Sequence, residues 1–158
     1  MAGARKIEGL RPDETFADAA RGIVAVRARE VLEQREKLAR NADAEAVHDV
    51  RVACRRLRAV LEIFEPCFES KAHRQALHAV KQLATQLGAR RDLDVHRELL
   101  ARLAAVMPAA DRIGVDSLIA ALVADAVTAD AEVEAAIEST SGDRLASVLA
   151  HAEGAVKS

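Results

Sequence analysis

His48, Arg51, Arg55 and Arg58 recur at intervals of three and four residues, the spacing that stacks side chains along one line of an α-helix at about 5 Å per turn. The stripe they form is about 80° wide. Arginine offers planar paired donors that grip phosphate oxygens two at a time, and a histidine beside them can carry a proton next to an anion. Like charges repel at this separation, so a bare ladder calls for something anionic along it. Only Glu62 continues the stripe with the opposite sign. Lys71, Arg74, His78 and Lys81, followed by Thr85, repeat the pattern on a second narrow stripe, and the pair Arg90-Arg91 comes next. These residue types at these spacings support the binding of a multivalent anion.

Other chemistries lack their parts. The chain has no glycine-rich phosphate loop, no GxSxG elbow and no HExxH pair, so an enzymatic reading has no nucleophile to stand on. His73 and His78 are five residues apart, about 140° around a helix, and cannot share a metal from one face. Asp92 and His96 have a four-residue spacing but sit beside a basic pair. No metal site and no cofactor is expected, and Asp92 and Asp94 read as capping or ion-pairing partners of Arg90 or Arg91.

The ladders need helices to carry them. Val50, Ala53, Cys54, Leu57, Val60, Leu61 and Phe64 make a broad apolar face beside the first cationic stripe, the pattern of a core-facing amphipathic helix. Asp43 is its expected N-cap, and it must stop near Pro66. Before it, Thr15 and Asp18 mark the start of a helix running to about Arg40, with Arg27 in the middle of its apolar face. After it, Ser70 is expected to cap a third helix ending at Leu87-Gly88. Arg90 and Arg91 then fall in a loop, and Asp92 caps a fourth helix from about Leu93 to Val106. A fifth spans about Asp111 to Glu138, and Asp143 starts a last short one to about Glu153. The expected fold is all-α, an antiparallel bundle of about five to six helices, with residues 1–12 as a flexible leader and 13–158 as one domain.

Composition agrees with this class. Half of the 158 residues are hydrophobic, but the aromatics are only Phe16, Phe64 and Phe68; alanine and leucine at helical spacing dominate. The net charge of −2 conceals a segregation. Residues 48–91 hold nine Lys/Arg against four acids, whereas the rest holds fourteen against twenty-one, as expected of an anion-binding patch on an otherwise acidic protein. Cys54 and Cys67 form no CxxC pair, and Cys54 falls on the apolar face, which fits reduced, buried thiols in the cytoplasm. The N-terminus has no apolar signal region and no segment is apolar enough to span a membrane. Nucleic acid is not the expected anion, because the basic region has no Tyr or Trp for base stacking; a helix in a duplex groove stays open as an alternative, although base reading would normally recruit Asn or Gln beside the arginines. The competing reading is a general polyanion or RNA binder, or an adaptor for an acidic protein, using the same surface.

The run His48-Asp49-Val50-Arg51-Val52-Ala53-Cys54-Arg55-Arg56-Leu57-Arg58, followed by Phe64, together with Leu87-Gly88-Ala89-Arg90-Arg91-Asp92-Leu93-Asp94-Val95, resembles the two landmarks of the CHAD family, the conserved histidine α-helical domain. The resemblance implies binding of inorganic polyphosphate through basic residues lining a groove or pore, and association with polyphosphate granules. By motif, it assigns phosphate binding to His48, Arg51, Arg55, Arg56, Arg58 and Arg91. Lys71, Arg74, His78, Lys81 and Arg90 join the candidate set by helical spacing and proximity. The resemblance covers about residues 13–153, one of the two similar helical halves of the family's architecture; the chain is either a fragment or a half-length member, and in both cases a homodimer could supply the second half by pseudo-twofold symmetry.

Overall fold

A computed structural model describes residues 3–41 and 43–139 and, near the C-terminus, residues 146–147, 150–151 and 154. Among these residues the fold is all-helical. Helix α1 spans Phe16–Arg40, α2 Ala44–Ile63, α3 Ser70–Val106 and α4 Ile113–Ser139, with single 3-10 turns at Glu65–Cys67 and Ala109–Asp111.

The start signals work through their side chains. Thr15 caps α1 by accepting from the Asp18 backbone N–H at 3.1 Å, and Asp43 caps α2 by accepting from Ala46 N–H at 2.7 Å, each satisfying a donor that the first helical turn leaves unpaired. Helix α3 is capped by Glu69 rather than by Ser70: the carboxylate accepts from the N–H groups of Lys71 and Ala72. Those two bonds hold the Glu69 carboxyl below the usual carboxylate range.

The largest departure from expectation lies in α3. The third and fourth expected helices form one 37-residue helix, about 55 Å long, and Gly88, Arg90, Arg91 and Asp92 are interior to it. A glycine in a helix interior costs about 1 kcal/mol, too little to break a helix whose buried face continues through it. Leu83, Leu87, Arg90 and Asp94 are buried at helical spacing across the expected loop. The described residues therefore hold four α-helices where five to six were expected, and the expected last helix, Asp143 to Glu153, lies largely outside them.

Helix α1 packs on α2, α2 on α3 and α3 on α4, while α1 and α4 touch only marginally. The pairing of Arg51 with Asp92 at one end and of Leu61 with His73 at the other shows that α2 and α3 run antiparallel. The core is built by the inner faces of α1 to α3, with Val24, Val31, Leu57, Leu61, Leu83 and Leu87 fully buried, and Val133 reaches it from α4. His73 sits at its edge, its Nε2 3.0 Å from the Leu61 carbonyl oxygen. Arg27 does not join the basic groove; it is part-buried, 2.8 Å from the buried Glu30 carboxylate, and donates to the Arg5 carbonyl. The Arg5 backbone N–H also donates to Glu30, so this part of the leader is fastened to α1.

Helix α3 is nearly twice as long as α2. Its distal half and the α4 segment from Ile113 to Val127 form a hairpin arm on which Val95, Leu99, Leu103, Val106, Ile113, Leu118, Val123 and Val127 are 42–81% exposed.

Candidate anion-binding groove

Because α2 turns its apolar face to the core, the stripe centred about 140° away from that face is carried to the seam with α3. There His48, Arg51, Arg55 and Arg58 line a groove of about 500 Å³ together with Glu62 and, from α3, Ala84. The small residues Ala59 and Ala84 leave the space open, and Cys54 lies beneath. The second ladder lines a concavity of similar size, about 510 Å³, where Lys71, Arg74, His78 and Lys81 are joined by Gln75 and Leu77.

The antiparallel packing staggers the two ladders along the seam, so that they meet at Glu62. Its Oε1 is 2.8 Å from Arg58 Nε and 3.8 Å from Lys81 Nζ. The Arg58 hydrogen bond, helped by the positive charges of Arg58 and Lys81 and opposed by slight desolvation, lowers the Glu62 pKa below its ordinary value, so the carboxylate is ionised at neutral pH. At the far end Arg51 Nη1 lies 3.8 Å from Asp92 Oδ1. From Lys71 to Asp92 is 21 residues of α3, a cationic track of about 30 Å. Within it, Arg55, Lys71 and Arg74 form no salt bridge to a described residue.

Three expected site residues lie elsewhere. Arg90 is not available to an outside ligand: its side chain is only 8% exposed and pairs with Asp94 at 2.5 Å and with Asp130 of α4. Burial works against its charge, but the hydrogen bonds to the two carboxylates outweigh this and raise its pKa above the ordinary arginine value. Arg56 points to the α1 side of α2, where it lines a separate cleft with Arg5, Glu33, Lys37 and Asp49. Arg91 is part-buried on α3 and lines neither cationic concavity. The residue that sequence reasoning misassigned in the opposite direction is Asp92, read as a helix cap and found across the seam from Arg51. No group of three or more His, Cys, Asp or Glu among the described residues could hold a metal ion.

The fold and the seam define an all-helical domain that displays two rows of cations meeting at Glu62. A family model described as CHAD domain matches residues 23–155, and the chain belongs to that family. No curated protein and no solved structure matches it. No helix among the described residues is long and apolar enough to cross a membrane.

Proposed function

We propose that the chain binds inorganic polyphosphate without turning it over, using the seam of α2 and α3. The observation that carries this reading is the collection of cations from two helices into one track in which Arg55, Lys71 and Arg74 form no salt bridge to a described residue. Membership of the CHAD family, whose domains bind polyphosphate in general, supports the same ligand. A polymer with a charge at every unit and no bases suits a surface rich in Arg and Lys and without aromatic stacking platforms. Binding without catalysis is supported by the state of Cys54, the cysteine beneath the groove, since burial pushes its thiol up to about 12 and a neutral thiol is a poor nucleophile. The protein is then a cytoplasmic one, recruited to polyphosphate granules through this track.

A homodimer belongs to the same proposal. Its support is the hairpin arm of α3 and α4, where eight large apolar side chains on two neighbouring helices stay exposed, more than an isolated surface residue or two would require. Light scattering at micromolar concentration tests this part: a dimer is expected, and a monomer with full polyphosphate affinity overturns it.

The deciding experiment for the ligand is a competition titration in which labelled long-chain polyphosphate is displaced by RNA, duplex DNA and free phosphate at one fixed salt concentration. Unlabelled long-chain polyphosphate is expected to compete far better than the others. Equal competition by RNA replaces the proposal with a general polyanion groove.

A further inference from the structure

The cationic track is not uniform. One concavity takes its cations from α2 and the other takes them from α3, and no cation lines both. What links them is Glu62, which lines the first, hydrogen-bonds Arg58 within it, and reaches Lys81 of the second at 3.8 Å. The carboxylate is 44% exposed, so it stands where a ligand running along the seam would pass. It holds one cation from each ladder, Arg51 pairs with Asp92 at the far end, and Arg55, Lys71 and Arg74 form no salt bridge to a described residue.

We propose that Glu62 divides the track into two anion subsites, one of His48, Arg51 and Arg55 with Arg58 at its edge, the other of Lys71, Arg74 and His78 with Lys81 at its edge. A short anion fills either subsite and competes with Glu62 for a single edge cation. An anion long enough to span both must displace the carboxylate from Arg58 and Lys81 together, and it meets the repulsion of the Glu62 charge at the crossing. The two half-sites are then joined by one chain, so the second engagement is intramolecular and its gain exceeds the cost of displacing one exposed carboxylate. Glu62 thus attenuates long-chain binding and keeps it reversible, while affecting each short-chain site less. The idea deepens the polyphosphate reading and rests on it for the long ligand only.

The experiment is isothermal titration of the full chain with tripolyphosphate and with long-chain polyphosphate, on wild type and on Glu62→Gln, Arg55→Ala and Arg74→Ala, each checked for unchanged helicity by circular dichroism. Wild type is expected to take two tripolyphosphates per chain, and Arg55→Ala and Arg74→Ala one each. Glu62→Gln, which keeps an acceptor for Arg58 and removes the charge, is expected to raise long-chain affinity about tenfold and tripolyphosphate affinity about threefold. A single tripolyphosphate per wild-type chain, or an equal gain for both ligands in Glu62→Gln, overturns the division. Two bound tripolyphosphates with no binding of the long chain would instead overturn the polyphosphate reading and leave the division standing. Binding of neither ligand overturns both.

Discussion

Arg51 of α2 and Asp92 of α3, 41 residues apart in the chain, face each other 3.8 Å apart across the seam, and this pair brings the two sequence landmarks together. Asp92 is 69% exposed and Arg51 35%, so the pair lies at the rim, where such contacts contribute at most about 1 kcal/mol. It therefore orients Arg51 without locking it away from a ligand.

The cations of the α2 ladder differ in what they give up on binding. Arg55 has no salt bridge among the described residues, whereas Arg58 must leave Glu62. Arg55→Ala is expected to weaken polyphosphate binding more than Arg58→Ala, by about fivefold against about twofold. The triple replacement of Arg51, Arg55 and Arg58 by Ala should reduce affinity about a hundredfold with helicity intact. Fluorescence titration checks the order, and unchanged binding in a folded triple variant would remove the seam from the site.

Binding through this many cations releases counterions, so affinity should fall steeply as salt is raised. Each alanine replacement of a contacting cation should lower the slope of log K against log salt by about one. Arg56→Ala, on the α1 side of the helix, should leave that slope unchanged. Titrations over a series of salt concentrations compare the two classes directly, and equal slopes for Arg55→Ala and Arg56→Ala would mean that the seam is not the contact surface.

Helix α2 was legible in the sequence because its two faces differ in kind: every residue of the apolar face is at least part-buried, and the cationic stripe lies at the seam. Helix α3 was not, for two reasons. Gly88 has the composition of a stop signal, yet the strength of the flanking helix formers and of the buried face through Leu83, Leu87 and Arg90 is a property of packing. The outward stripe of α3 also changes character midway, from Lys71, Arg74, His78 and Lys81 to Asp92, Val95, Leu99 and Val106, so its halves read as separate helices. Arg90 and Arg91 look equivalent as neighbours in a chain. On a helix they are about 100° apart, and that rotation turns Arg90 toward Asp130, 40 residues away, a partner that no local pattern reveals.

The Arg90 assignment has a direct consequence. Replacing Arg90 by Ala leaves the Asp94 carboxylate, which is 2% exposed, without its main partner, and breaking a buried pair by removing one member costs about 3–5 kcal/mol. Arg90→Ala should therefore lower the thermal midpoint of unfolding markedly, while the fraction that remains folded at low temperature keeps its polyphosphate affinity. Circular dichroism melts and low-temperature titration read the two quantities separately. A variant with wild-type stability and weakened binding would return Arg90 to the site.

Cys54 is fully buried under the groove, and desolvation raises its thiol from 9.0 to about 12. The folded protein therefore holds a proton that the unfolded chain releases above pH 9.0. Its contribution to stability is fully present below that pH and is lost as pH rises toward about 12, at roughly 1.4 kcal/mol per pH unit. Alkylation of Cys54 under native conditions should be slow near neutrality and should speed up only when the protein unfolds. Cys54→Ala removes this titration, so denaturant unfolding of the variant should show a shallower loss of stability through the alkaline range than wild type. Parallel loss in both proteins would mean that the thiol is hydrated in solution and that the groove opens down to α2.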